Sequence, residues 1–374
     1  FIISSEEKGI LNFIRPKINS SSITEYLFFK NLFFGKTYFD KIKLIPPGCI
    51  SKFDLTNWKL KHEFSWNSFY KRKIFVKKKN NFEISNLLNN SIKQRNICDV
   101  KTQLALSSGF DSNLILEKIL LNKDIKNFYR AIGVGFDTKN NENFITKKIN
   151  KNKKFYFKEV IYNKKNILND IKKCIHFNDG PLEHPNYVGI DRLCKEARKK
   201  GKVLLSGEGA DDLFFGYDHY KKKKISNSFA FRDFFIKKSL DKILNNKSNK
   251  LVLDKTKKQI NYNFYRKLAL SSKINSRDLE VKTHMHSLLK RNDKIGMKNS
   301  IEIRCPFLDY TIISKIGTRS DFNKKNLYKK IFKNKEIFKY NKKKIGFFVP
   351  TNILYNKNNY PYSIKYFNLA RDFL

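Results

Sequence analysis

The sequence has no apolar run of eighteen residues or more, so no membrane-spanning helix is expected. Its start shows no basic segment, apolar core and small-residue cleavage site, so no secretory leader is read there. Cysteine is sparse and scattered, at Cys49, Cys98, Cys174, Cys194 and Cys305. No two form a C-x-x-C pair and the count is odd, which argues against a disulfide framework and a zinc site. Free thiols in a reducing cytoplasm are the simplest reading. His176, His184, His284 and His286 lack metal-ligand spacing, and the last two would lie on different faces of a helix. No repeat of fixed period and no Gly/Ser linker is present.

Acidic residues are few beside basic ones, and the formal net charge is +44. Such a charge suggests a polyanionic partner. However, the lysines are spread along the chain, with short clusters at Lys77–Lys79, Lys221–Lys224 and Lys342–Lys344. Asn, Ile, Phe and Tyr are also abundant, a joint bias that a very AT-rich coding sequence produces. We read the charge as drift on solvated faces, with a polyanion site as the alternative. No nucleic-acid or membrane partner is expected. The length suffices for one large or two smaller domains.

Two segments carry chemistry. Leu104-Ala105-Leu106 reads as a strand; Ser107-Ser108-Gly109-Phe110-Asp111-Ser112 follows as a polar loop, and an apolar helical stretch begins at Leu114. A Ser/Gly loop at a helix start offers free amides and the positive dipole end, a pyrophosphate site. Asp111 would repel phosphates unless a divalent cation lay between them. The pattern returns: Lys202–Leu205 reads as a strand and feeds Ser206-Gly207-Glu208-Gly209-Ala210-Asp211-Asp212. In a parallel sheet both loops emerge at carboxyl ends of strands, where open α/β sheets bind ligands. Ordinary turns and helix N-caps are the plain alternative for each loop alone; the pair points to one shared Mg-nucleotide site.

The residues resemble a known family. Leu106 to Ser112 is similar to the Ser-Gly-Gly-x-Asp-Ser loop of ATP pyrophosphatases, and SGEGADDLFFGY at Ser206–Tyr217 resembles SGEGADELFGGY of glutamine-dependent asparagine synthetases. Met297, Glu302 and Arg304-Cys305-Pro306-Phe307-Leu308-Asp309 match that family's M…E-x-R-x-P-F-L-D, and Lys343-Lys344-Ile345-Gly346-Phe347 its K-K-x-G-F. Ser5–Leu11 resembles the S-E-x-K-A-L-L that closes the family's glutaminase domain, and Leu44–Gly48 the L-P-P-G after it. Family members start with a catalytic cysteine, whereas this sequence starts with Phe1, so a fragment is expected.

The resemblance implies an α/β fold: a parallel-sheet ATP-pyrophosphatase domain with a helical C-terminal part at 71–374, preceded by a β-rich remnant of a glutaminase domain at 1–70. Strands are expected at Lys43–Ile45, Cys49–Phe53, Lys59–Phe64, Phe128–Phe136 and Phe155–Val160, and helices at Phe82–Gln94, Asn141–Ile149 and Asp278–Met297. Asp179-Gly180-Pro181 matches a family turn. It further implies ATP and Mg²⁺, with Leu106, Ser107, Ser108, Gly109, Asp111, Ser112, Val134, Ser206 and Gly207 around the nucleotide. Asp111 and Asp211 hold the metal; Glu208, Lys325 and Lys344 are catalytic; Asp212 lies near the substrate. Arg304 and Asp309 are expected to fix structure. Three departures stand out: Ser108 and Phe215 replace glycines, and Asp212 replaces a glutamate, which retracts that carboxylate by one methylene.

The expected activity is amide synthesis through an acyl-adenylate, aspartate to asparagine, with ammonia from glutamine and release of AMP and pyrophosphate. A same-fold enzyme acting on another carboxylate, as in cell-surface sugar or β-lactam pathways, and a decayed, non-catalytic basic protein are the alternatives. Partners are expected to be small molecules, with a homodimer compatible.

Overall fold

The computed structural model describes residues 1–29, 31–32, 35–45, 48–57, 59–65, 81–136, 142–162, 166–184, 186–214, 216, 284–316, 324–340 and 369–370. The amino-terminal part holds helices α1 (Glu7–Leu11) and α2 (Ser20–Phe29) and strands β1 (Cys49–Asp54) and β2 (Lys59–Ser65). After it come α3 (Asn81–Gln94), β3 (Thr102–Ala105), α4 (Phe110–Leu121), β4 (Phe128–Phe136), α5 (Glu142–Ile149), β5 (Phe157–Tyr162), α6 (Ile167–Asn178), α7 (Tyr187–Arg198), β6 (Val203–Leu205) and α8 (Ala210–Leu213). The carboxyl-terminal part has α9 (His284–Lys298), β7 (Glu302–Arg304), a 3-10 turn at Pro306–Leu308, α10 (Tyr310–Ile316), α11 (Lys324–Ile331) and α12 (Ile337–Tyr340).

Short runs separated by helices build a parallel sheet whose inner strands, such as Thr102–Ala105 and Val203–Leu205, are buried, while the outer strands are only partly covered. Its five strands run in the order β5-β4-β3-β6-β7, each pair parallel. The chain enters at the central β3, winds outward to β5, then returns to the other side of β3 for β6. Strand order therefore reverses between β3 and β6, which opens a crevice at their carboxyl ends.

Ile84, Leu88 and Ile92 recur at helical spacing and put one face of α3 into a cluster with Leu104, Leu114, Ile115, Ile119, Phe307 and Ile312. On the other face, Leu193, Cys194 and Ala197 of α7 pack on Ile132, Val134 and Leu204. Each Val, Leu, Ile or Phe among them contributes about 1.5–3 kcal/mol when fully buried. The sheet also buries Arg130, whose fork is satisfied by Gln103 Oε1 at 2.6 Å, the Glu196 carbonyl at 2.8 Å and the Glu196 carboxylate at 3.1 Å. The five cysteines are free thiols. Burial pushes the Cys174 and Cys305 thiols up to about 12, so they stay protonated near neutrality.

β1 and β2 pair antiparallel from Cys49↔Ser65 to Asp54↔Lys59. The strand expected at Lys43–Ile45 is reduced to one bridge, Lys36↔Lys43. Thr37 accounts for this: its hydroxyl donates toward the carbonyls of Phe39 (3.0 Å) and Ile42 (2.9 Å), closing a compact loop in which Lys41 has φ 68°. β5 starts two residues later than expected, because its register with β4 runs from Ala131↔Phe157 to Phe136↔Tyr162.

The Asp179-Gly180-Pro181 turn fastens the amino-terminal part to the sheet. Asp179, at φ 57°, caps α6 and accepts from the amides of Glu7 (3.1 Å) and Lys8 (3.4 Å), from Lys8 Nζ (3.1 Å) and from Lys294. Burial alone would raise its pKa, but Lys294 and Lys8 outweigh it and hold the carboxyl below the usual range. Tyr26 adds a bond to the Leu182 carbonyl at 2.7 Å. No described helix is long and apolar enough to cross a membrane.

Candidate active site

The two acidic loops meet at the reversal of strand order. After β3, the Leu106 amide still bonds to the Ile132 carbonyl (2.8 Å), and the chain then turns through Ser107, Ser108 and Gly109 into α4. Ser112 Oγ accepts from the Ser107 amide (3.1 Å) and lies 3.0 Å from Ser107 Oγ, which accepts from the Gly109 amide (3.1 Å). Asn113 donates to the carbonyls of Ser107 and Gly109, both at 2.8 Å. Glu142, at the start of α5, accepts from the amide (3.1 Å) and hydroxyl (3.2 Å) of Ser108. That amide is thus matched to an anionic oxygen, the chemistry a phosphate needs.

After β6, the Ser206 amide bonds to the Arg304 carbonyl (2.9 Å) and Ser206 Oγ accepts from the Glu208 amide (3.3 Å). Gly209, at φ +86°, caps α8, and a Cβ there would lie 2.3 Å from the Leu308 side chain. A Cβ on Gly207 would lie 3.0 Å from both Asp111 Cβ and the Ser112 amide nitrogen. The two loops are therefore in contact, with glycine at the point of closest approach.

Their acids converge on one cation. Lys324 Nζ lies 2.6 Å from Asp111 Oδ1 and 2.5 Å from Asp211 Oδ1. Tyr328 donates to the same Asp111 oxygen at 2.6 Å. Gly216 leaves room, since a Cβ there would fall 1.9 Å from Asp211 Oδ1. Burial raises the Asp111 pKa, Lys324 pulls it down and Asp211 pushes it up, leaving it above the usual carboxylate range. Burial and Asp111 likewise raise the Tyr328 phenol well above its ordinary value, so it is a hydrogen-bond donor. No three His, Cys, Asp or Glu side chains cluster as a metal cage among the described residues. Two converging carboxylates do suit Mg²⁺ carried by a nucleotide, which keeps its waters and takes one or two protein acids beside the phosphates.

Glu208 is held by Arg291, a side chain 1% exposed. Arg291 also donates to Asn186 Oδ1 (2.8 Å) and Asn292 Oδ1 (3.0 Å). Arg304 binds Glu302 and the carbonyls of Arg95 and Ile97, while Asp309 takes Arg95 (2.7 Å) and the Thr311 amide (2.9 Å) at the start of α10.

The other expected residues are placed as follows. Asp212 is enclosed, 1% exposed, and Val134 is buried on β4. Lys325 is exposed, and its neighbour Lys324 is the lysine that reaches the acids. Lys324 and Lys325 adjoin in the sequence, three and two residues before Leu327. Lys344 and Phe215 lie outside the described residues. Glu142, Arg291 and Tyr328 were not foreseen, because their partners lie 34, 83 and 217 residues away; Asn113 was passed over although its partners Ser107 and Gly109 are local.

Comparison with known proteins bears on the same segments. The chain is 26% identical over 316 residues to asparagine synthetase [glutamine-hydrolyzing] 1 of Bacillus subtilis (strain 168), covering 72% of this chain and 49% of that protein. It is 28% identical over 227 residues to putative asparagine synthetase [glutamine-hydrolyzing] 2 of Methanocaldococcus jannaschii, covering 58% and 43%. A putative asparagine synthetase [glutamine-hydrolyzing] of Mycobacterium tuberculosis is 34% identical over 73 residues, 20% of this chain and 11% of that one. The chain thus spans about half the length, or less, of the curated relatives it matches. The profile of the asparagine synthase family matches residues 83–356, which takes in both acidic loops, Arg291 and Lys324. On that match over most of its length, the chain belongs to the asparagine synthase family.

Proposed function

We propose that this chain activates a carboxylate with ATP and transfers the acyl group to ammonia. The observation that carries this reading is the convergence of Asp111 and Asp211, from two loops at the strand-order reversal, on one cation. Hydroxide is too poor a leaving group for direct amide formation. In the proposed reaction, a carboxylate oxygen attacks the α-phosphorus, the bond to the β-phosphate oxygen breaks and pyrophosphate leaves. Ammonia then attacks the acyl carbon, AMP leaves, and the ammonium proton passes to a base.

Ser107, Ser108, Gly109 and Ser112 would cradle the pyrophosphate, with Leu106, Val134, Ser206 and Gly207 along the nucleotide. Bound Mg²⁺, held by Asp111 and Asp211, supplies charge neutralisation on the phosphates. Glu208, oriented by Arg291, is the proposed base for the ammonia step, with Lys325 and Lys344 retained as candidate pyrophosphate contacts beside Lys324. Aspartate is the proposed substrate and asparagine the product. Residues 1–70 are proposed as the end of a glutaminase domain and 71–374 as the synthetase domain, with glutamine as the ammonia source of the whole protein.

Exchange of ³²P between pyrophosphate and ATP, with and without aspartate, tests the reading. Aspartate-dependent exchange is expected. Exchange driven only by another carboxylate would keep the chemistry and replace the substrate.

A further inference from the structure

Lys324 occupies the place between the two acids at which a metal would bind. Its ammonium lies 2.6 and 2.5 Å from one oxygen of each, and its side chain is only 11% exposed. The Tyr328 ring sits 5.2 Å from Nζ, and Gly216 clears the space beside the lysine stem. The ammonium bridges one oxygen of each acid, so a divalent cation that bridges the same two oxygens must take its position. Mg²⁺ requires these oxygens at about 2.0–2.1 Å. A lysine is a point charge on a flexible stem, suited to leaving such a position and following an incoming anion.

We propose that Lys324 is a built-in placeholder for the divalent cation, holding Asp111 and Asp211 together until nucleotide arrives and then yielding its place. The inference rests on the reading of the acid pair as the Mg²⁺ site. Without the placeholder, two enclosed carboxylates would face each other with one counter-charge fewer. With it, the cation alone gains little over the ammonium it must displace. A nucleotide changes the balance, because its phosphate oxygens receive the displaced lysine. Metal and nucleotide should therefore bind together, and metal alone only weakly.

The test uses Mn²⁺ as the probe, without nucleotide, followed by electron paramagnetic resonance and by the thermal midpoint. Lys324→Met is expected to bind Mn²⁺ at least tenfold more tightly than the unaltered chain and to gain thermal stability on adding it. Lys324→Gln, whose amide still donates to an acid, should show the same gain should the methionine variant not fold. Adding Asp111→Asn to either variant should abolish it. Equal Mn²⁺ affinity in the unaltered chain and the folded Lys324 variant overturns the placeholder; if exchange still depends on Asp111, the proposed function survives that result. A gain that persists with Asp111→Asn places the metal elsewhere and overturns both.

Discussion

At the scale of residues, the site depends on side chains that are held rather than free. Glu208 is a short turn residue, yet buried Arg291 fixes it, and Arg291 is itself held by Asn186 and Asn292. Replacing Glu208 with Gln keeps the shape and removes the base. Amide formation should fall about 10²–10⁴-fold, the usual range for general-base help, and the thermal midpoint should drop as buried Arg291 loses its carboxylate, so the assay is run below the variant's own midpoint. Rapid-quench measurement of asparagine checks this; an unchanged rate would remove Glu208 from the chemistry. Asp111, Asp211 and Glu208 were legible in the sequence because each follows an apolar run and lies in a Ser/Gly loop at a helix start. Lys324, which contacts both acids, adjoins the Lys325 named from the sequence, and two adjacent lysines carry no local signal that separates them. Arg291 and Tyr328 left no local trace, because their partners lie 83 and 217 residues away.

At the scale of elements, the turn at Asp179 and the helix α1 it receives form the joint between the amino-terminal part and the sheet. Glu7 is buried in that joint, and its Oε2 has no hydrogen-bond partner among the described residues. Burial pushes its pKa up to about 7, against the lowering by Lys290 and with a further push from Asp179. A carboxyl raised in the folded state favours folding while protonated. Its stability is full below the unfolded value of about 4.3 and is lost as pH rises toward the folded value. Glu7→Gln should therefore match the unaltered chain near pH 4.5 and exceed it by up to ~3 kcal/mol above pH 7. Denaturant titrations across that range check it; a gap that shrinks with pH would contradict the assignment. Apolar runs such as Val203–Leu205 marked four of the five strands of the sheet, whereas β7, Glu302–Arg304, carries charges at both ends and was not marked as a strand. Sequence periodicity did not mark α2, whose buried face includes Ser22 and Glu25, the latter paired with Lys36 at 2.5 Å.

At the scale of the whole molecule, a formal charge of +44 must be accommodated. Many ion pairs are at the surface, and exposed pairs contribute only about 0–1 kcal/mol each. Net repulsion should dominate, so raising NaCl from roughly 50 to 300 mM should raise the thermal midpoint by a few degrees as the Debye length shortens. A falling midpoint would show that specific pairs outweigh the repulsion. Arginine is used sparingly beside lysine, and three of its buried or half-buried side chains are paired with carboxylates: Arg95 with Asp309, Arg130 with Glu196 and Arg291 with Glu208. The basic composition hides this distinction in the sequence, and three-dimensional partners reveal it. Asp111 and Asp211 are proposed as the metal clamp of a carboxylate-activating site. The most direct measurement is aspartate-dependent ³²P exchange between pyrophosphate and ATP in the unaltered chain and in Asp111→Asn. Exchange is expected in the former and a loss of about a thousandfold in the latter, the scale of several kcal/mol that a bound cation supplies, with the thermal midpoint retained. Undiminished exchange in Asp111→Asn would contradict the proposed clamp.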